Sequence, residues 1–357
     1  MSLAQSEIQV MLADMVSRLL ADRNAFEDRR RRLSGPAPDR LALWADLAEQ
    51  GILGAALDED AGGVPARCAV MEIIGQHLAV EPVLAAFICG RILRAADAPL
   101  DPLVSGEQIF AFAHTEGFDP FASPRTLATG EPGAYRLTGL KPAARHADLA
   151  HRLIVTATLH GAPAAFLVEA GAPGLHREPF RLIDAASAAT VTLENTPAQF
   201  LAGAEVVAEA LLWSIAGLAA ETTGIIAALN AATFAYLNTR KQFGAPLASF
   251  QALQHRAADM FTAAEEARIL TLRLIAALDA NTPAAAALAS AAKALTDDAG
   301  RKVAHEAVQL HGGMGVSDEL NISHYLRRLT AIRAELGGAD LHRARFAELT
   351  EVPRHAA

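Results

Sequence analysis

Two regions of this chain gather residue types that could hold a large anion. Arg240-Lys-Gln-Phe-Gly244 is followed by Phe250-Gln-Ala-Leu-Gln254, and much later comes Gln309-Leu-His-Gly-Gly-Met-Gly315. Arginine offers a planar fork of donors suited to a diphosphate, and the pair Gly312 and Gly313 lets backbone amides approach a ligand with no side chain in the way. Each has an ordinary alternative. Arg240 could be half of an exposed ion pair at a helix end, Gln309 a satisfied polar residue in a bundle, and Gly-Gly-x-Gly a helix cap. Together, inside an otherwise apolar helical region, they point to a site for an anionic cofactor that requires no metal.

Ala113-His-Thr-Glu-Gly117 precedes these motifs, and Gly315-Val-Ser-Asp-Glu319 with Arg327 follows them. In this order the segments resemble the acyl-CoA dehydrogenase family over nearly the whole chain. The resemblance implies FAD as cofactor, an acyl-CoA substrate and electron-transfer flavoprotein as acceptor. It also implies a homo-oligomer, or a hetero-oligomer with another acyl-CoA dehydrogenase-like subunit. Arg240 would then meet the FAD pyrophosphate, with Gln242 and Gln251 hydrogen-bonding near it. Gln309 through Gly312 and Gly313 would line the adenosine side of a partner's cofactor. Phe112, Thr115 and the backbone to Glu116 would lie against the isoalloxazine of the chain's own flavin. The implied reaction is α,β-dehydrogenation, in which a base takes the α-proton and the β-hydrogen leaves as hydride.

The base is where this chain departs from the family. Counting on from Gly312, the usual catalytic Glu falls on Leu336, and the alternative seat on the helix before Arg240 is Ser214. Leucine takes no proton, and a serine hydroxyl is a weak base unless activated. Three explanations compete. Glu335 could reach the substrate through a shift of the loop at Gly337 and Gly338; Glu209 or Glu221 could enter from the helix; or the chain is the non-basic partner in a mixed oligomer. The third is favoured. Ser323-His-Tyr-Leu-Arg-Arg-Leu-Thr-Ala-Ile and the later Gly-Gly-Ala-Asp-Leu-His342 resemble the small subunits of two-component acyl-CoA dehydrogenases of the pimeloyl-CoA or steroid side-chain type. After Gly139-Leu-Lys141 the family's aromatic, aliphatic and Thr or Ser are replaced by Pro142-Ala-Ala-Arg-His146. That puts FAD binding by the chain's own β domain in question and leaves His146 as either a flavin contact or a surface-loop histidine. Two other functions stay open: a non-catalytic acyl-CoA-binding scaffold, or a flavin oxidase or monooxygenase of the same fold.

Bulk properties narrow the setting. The 357 residues are 52% hydrophobic with a net charge of −9, and the mean hydropathy is +0.21 with pI near 5.7. That composition fits a globular chain and excludes a general nucleic-acid partner, which needs a basic face. The run Arg29 to Arg32 reads as the solvated end of the first helix. Cys68 and Cys89 lie among apolar neighbours, so no disulfide framework is expected and a cytoplasmic setting is. The first residues carry no secretory pattern, and the apolar run between Glu209 and Glu221 is shorter than the ~20 residues a membrane span needs.

The elements that must position these residues follow from periodicity. Met11, Leu12, Met15, Val16, Leu19 and Leu20 recur at helical spacing, Ser34-Gly-Pro-Ala-Pro38 breaks that helix, and further helices follow, giving a helical domain over residues 1–100. Short alternating runs at Tyr135–Thr138, Leu153–Val155, Ala165–Val168 and Thr190–Glu194 predict a small antiparallel β domain over 101–202. From 203 to 357 the helical period returns, with alanines suited to a four-helix bundle. The expected fold is therefore mainly α with a β domain in the middle.

Overall fold

The computed structural model describes residues 7–35, 41–58 and 62–350. The expected break at Ser34–Pro38 and the start of the chain fall largely outside them. The order of elements is helices, sheet, helices. Leading helices are α1 (Glu7–Arg23), α2 (Phe26–Ser34), α3 (Ala42–Glu49), α4 (Ile52–Leu57), α5 (Gly63–Gln76), α6 (Val83–Ala95) and α7 (Asp101–Val104). Strands β1 (Phe110–Ala113), β2 (Leu127–Thr129), β3 (Tyr135–Arg145), β4 (Arg152–Leu159), β5 (Ala162–Glu169), β6 (Leu175–Arg181) and β7 (Ser187–Ala202) come next. Helices α8 (Ala204–Thr239), α9 (Gln251–Asp279), α10 (Ala285–His311), α11 (Asn321–Ala334) and α12 (Ala339–Thr350) complete the chain, with a small hairpin of β8 (Lys241–Gln242) and β9 (Ala245–Pro246) between α8 and α9. Two compact units emerge, one from Ser6–Val70 and Ala79–Ser214, the other from the described residues of Met71–Leu78 and Ile215–Ala357.

In the first unit, Leu12, Val16, Leu19 and Leu20 form the buried stripe of α1, as their spacing predicts. The periodic stretch is not one helix, however: it stops at Arg23 and restarts at Phe26. Asn24 sits in the break, its amide on the Leu20 carbonyl and its side-chain oxygen taken by Arg32. The arginine run is also not a solvated helix end. Arg29 is buried, and Arg32 reaches the wholly buried carboxylate of Glu81 at 3.3 Å.

The sheet runs β1-β4-β2-β3-β7-β5, β4 also pairs with β5, and β6 lies on β7. The pairings β2–β3, β3–β7, β4–β5, β5–β7 and β6–β7 are antiparallel. β1 joins β4 in parallel, Phe112 opposite Ile154, and β2 touches β4 in parallel at Leu127 and Thr158. Because β4 and β5 are buried continuously over Leu153–Ala157 and Ala164–Val168, they read as apolar runs rather than strict alternation. Leu137, Leu153, Val155, Phe166, Val168, Val191 and Leu193 fill this core.

In the second unit, α9, α10, α11, α12 and most of α8 pack as a helical bundle. Where the end of α5 crosses α8, the backbones touch: a Cβ on Gly224 would run into the Glu72 carbonyl, and one on Gly75 into that of Glu221. Inside the bundle Lys293 and Asp297, both with fully buried side chains, meet at 2.7 Å, and Lys293 also donates to the Ile332 carbonyl of α11 at 3.1 Å. Helix α8 is long and apolar enough to cross a membrane by length and composition. Its apolar window is 83% buried within the fold, as in a core helix.

Candidate functional site

Helix α8 ends in a tight hairpin. The Arg240 amide still donates to Tyr236 at 2.8 Å, and the Arg240 carbonyl accepts from Leu247 at 2.9 Å, which closes the turn. Phe243 and Gly244 at its tip both have positive φ, 52° and 81°, the pattern of a two-residue type I′ hairpin that normally favours Asn-Gly. A phenylalanine there costs backbone strain, and its ring is 90% exposed, 6.1 Å from Phe250 at an edge-on angle. Arg240, Gln242 and Gln251 are all exposed. Among the described residues Arg240 makes no ion pair, so the helix-end pairing offered as its alternative is not formed.

Helix α10 ends at His311, and Gly312–Val316 follows as a 3-10 turn. Gly315 is needed for packing, since a Cβ there would lie 2.5 Å from the Val308 carbonyl oxygen. Gly312 and Gly313 are different: a Cβ on either would meet nothing within 4 Å. Gly312 has φ 62°, which explains one glycine by conformation, while packing requires neither. Bare, exposed backbone of this kind suits the close approach of a ligand. Gln309 is exposed beside it. The two motifs are joined by a contact that spacing did not reveal: Tyr236 of α8 stacks on His311 of α10 at 4.4 Å and 26°. With the Arg240 amide bonded to Tyr236, this stack brings the arginine hairpin and the glycine corner to one end of the bundle. Arg240, Gln242, Gln251, Gln309, Gly312 and Gly313 therefore belong to one region of the second unit, and an FAD diphosphate fits its exposed, unpaired arginine and bare glycine backbone.

Phe112 and Thr115 belong to the first unit. Phe112, at the end of β1, lies parallel to the His114 ring at 5.6 Å. The next residues are held from below. Glu116 accepts from Lys141 Nζ at 2.6 Å, Thr126 Oγ1 at 2.6 Å and the Thr126 amide at 3.0 Å. Burial alone would raise the Glu116 pKa, but the hydrogen bonds from Lys141 and Thr126 outweigh it and bring it to about 2. Desolvation lowers Lys141 to about 8 against the opposing pull of Glu116. Burial likewise lowers His114 to about 4. His146, after the bulge at Lys141 to Ala144 in β3, is neither a surface-loop histidine nor exposed to a ligand. It is buried, and its Nε2 donates to the Val80 carbonyl at 2.7 Å.

Every residue considered for the base is engaged. Leu336 occupies the counted seat with φ 55°. Ser214 donates its hydroxyl to the Ala210 carbonyl at 2.7 Å within its own helix. Glu209 receives both arms of Arg91 at 3.1 and 3.0 Å. Arg328 holds two carboxylates at once, Glu221 through Nε and Nη2 at 2.5 and 2.7 Å, and Glu335 through Nη1 at 2.6 Å.

Comparison with known proteins bears on the family. The profile described as "Acyl-CoA dehydrogenase, C-terminal domain" matches residues 202–349. The chain is 28% identical to acyl-CoA dehydrogenase FadE27 of Mycobacterium tuberculosis over 87% of its own length and 88% of that protein. Among solved structures it is similar to one titled "Tcur3481-Tcur3483 steroid ACAD G363A variant", with 30% identity, a TM-score of 0.89, and 96% and 97% of the two chains covered. It is also similar to the ChsE4-ChsE5 complex from Mycobacterium tuberculosis, with 26% identity, a TM-score of 0.91, and 99% and 100% covered.

Proposed function

The chain belongs to the acyl-CoA dehydrogenase family of FAD-dependent oxidoreductases, and from that premise we propose that it is the subunit without a catalytic carboxylate in a mixed oligomer. The observation that carries this reading is the engagement of every alternative to the absent glutamate. Leu336 has no proton acceptor, and the carboxylates of Glu335 and Glu221 share the single guanidinium of Arg328, so each is already committed to a partner within the fold. Two similar structures, Tcur3481-Tcur3483 and the ChsE4-ChsE5 complex, pair two components, which supports a second chain as the source of the base. A bulky acyl group, such as a steroid side chain, is the substrate class we infer from the same similarity.

In this reading residues 1–100, 101–202 and 203–357 act as three domains. Arg240, Gln242 and Gln251 bind the diphosphate of a neighbouring subunit's FAD, and Gln309, Gly312 and Gly313 line its adenosine side. FAD, when bound, supplies the acceptor for the β-hydrogen. Phe112 and the Thr115 backbone orient the ring of the chain's own flavin, the partner subunit removes the α-proton, and electron-transfer flavoprotein takes the electrons onward. The buried cysteines fit a cytoplasmic setting.

The test is Glu335→Gln in the complex purified with its native partner. Activity on acyl-CoA within about twofold of the parent supports the reading, whereas a fall of about a thousandfold or more, as removal of a true base gives, makes Glu335 the proton acceptor and overturns it.

A further inference from the structure

Thr115 lies between two pinned neighbours. On one side the His114 carbonyl accepts from Lys141 Nζ at 3.1 Å, and on the other the Glu116 carboxylate accepts from the same ammonium at 2.6 Å. The third proton of Lys141 goes to Thr156 Oγ1 at 3.2 Å. A buried ammonium is costly, and it persists where each of its three protons has an acceptor. Here the count closes, on a side chain with no exposure at all.

The directions of the remaining bonds follow from that count. His114 Nε2 lies 2.7 Å from the Pro120 carbonyl, which only accepts, so Nε2 carries the hydrogen. The neutral ring then has a bare Nδ1, 2.9 Å from Thr156 Oγ1, and the hydroxyl donates to it while accepting from Lys141. Neutral histidine agrees with the burial that holds its pKa low. One consistent order of donors and acceptors therefore runs from Glu116 through Lys141 and Thr156 to His114 and Pro120. It draws β3, β4 and the segment ahead of β2 together beneath a single half-exposed residue. A network with one consistent arrangement fixes its surroundings more firmly than separate pairs do.

We propose that Lys141 is a positioning residue for the flavin: by gripping the chain on both sides of Thr115 it holds that backbone in one conformation against the isoalloxazine. This rests on the assignment of Phe112 to Glu116 as a flavin contact and adds to it the group that makes the contact rigid. The Pro142-Ala-Ala-Arg-His146 stretch lacks the family's aromatic and hydroxyl residues, and the grip of Lys141, immediately before it, is the part of that strand still directed to the loop.

The experiment uses the full chain purified from its native host with whatever subunits accompany it, as parent, Lys141→Met, and Lys141→Met/Glu116→Gln. Bound FAD per chain, the visible circular dichroism of the flavin band and the melting temperature are measured. Lys141→Met is expected to weaken FAD binding by about tenfold or more and to alter the flavin band. The double variant leaves no unpaired carboxylate, so it should regain most of the melting temperature but neither the affinity nor the band; it also carries the test if the single variant fails to fold. Unchanged affinity and band in folded Lys141→Met overturns the proposal, as does affinity that recovers in step with melting temperature in the double variant. A parent complex devoid of flavin overturns the flavin assignment itself, and this proposal with it, so the two failures are distinguishable.

Discussion

At the scale of single residues, the proposed site separates an arginine left free for a ligand from arginines committed to the fold. Arg240 is exposed and unpaired among the described residues, whereas Arg328 and Arg91 are each committed to carboxylates. Removing Arg240 should therefore cost little stability and much cofactor. Arg240→Ala is expected to lower FAD retention by about ten- to a hundredfold, the worth of a charge-assisted bond to phosphate, read as flavin absorbance per chain after gel filtration. Retention equal to the parent's would remove Arg240 from the site. His114 and Glu116 give a pH dependence with a definite sign. The folded state holds His114 neutral down to about pH 4, while the unfolded chain takes up its proton near 6.5, so stability present above 6.5 is lost as pH falls toward 4. Glu116, brought down to about 2 from the ordinary 4.5, adds a further loss between 4.5 and 2. Acid titration followed by circular dichroism should show unfolding that begins in the His114 window, and His114→Gln should move that onset to lower pH.

At the scale of elements, helices approach one another as closely as their glycines allow. Gly224 of α8 rests on the backbone of Glu72, and Gly75 of α5 on that of Glu221. Backbone cannot yield as a flexible side chain can, so the helices themselves must part to admit a methyl group. Gly224→Ala should destabilise the chain by about 1–3 kcal/mol in chemical denaturation, despite the better helix propensity of alanine; a stabilised variant would show that the crossing has slack. The elements also show what was legible beforehand. The order helices, sheet, helices could be read because period 3.6 and period 2 are local properties. The alternation read at Leu153–Val155 and Ala165–Val168 gives way in the structure to strands buried on both faces. Partners were not legible. Nothing near Phe110 in the sequence says that β1 will pair in parallel with β4, and the break at Asn24 has no proline or glycine to announce it, only a side chain that reaches Arg32. The cofactor motifs stood out by residue type, whereas Tyr236 and His311, which bring them together, look like ordinary bundle residues. A lysine such as Lys141 reads as solvent-facing in the sequence until its acceptors are seen.

At the scale of the whole molecule, the proposed site is a shared construction. The hairpin tip offers the most exposed aromatic of the second unit, Phe243, in a conformation that a bulky residue adopts at a cost. Strain and exposure together make sense when a neighbouring subunit covers the ring. Phe243→Ser is expected to weaken assembly by about thirtyfold, the loss of an aromatic anchor worth ~2 kcal/mol, while leaving the chain's own circular dichroism unchanged. Light scattering across a dilution series checks this, and an assembly mass indifferent to the substitution would place the interface elsewhere.

One outer strand of the sheet has its own bearing on aggregation. β6 pairs only with β7, and its run His176-Arg-Glu-Pro-Phe-Arg181 sets charges along the rim and, at Pro179, a residue with no amide hydrogen to offer. A passing chain finds no uninterrupted ladder there to extend, and Arg177 and Arg181 are tied back to the carbonyls of Ala147 and Leu33 at 2.8 and 2.7 Å. That rim thus gives a second copy little to pair with, which guards it against recruitment into fibrous or amorphous deposits.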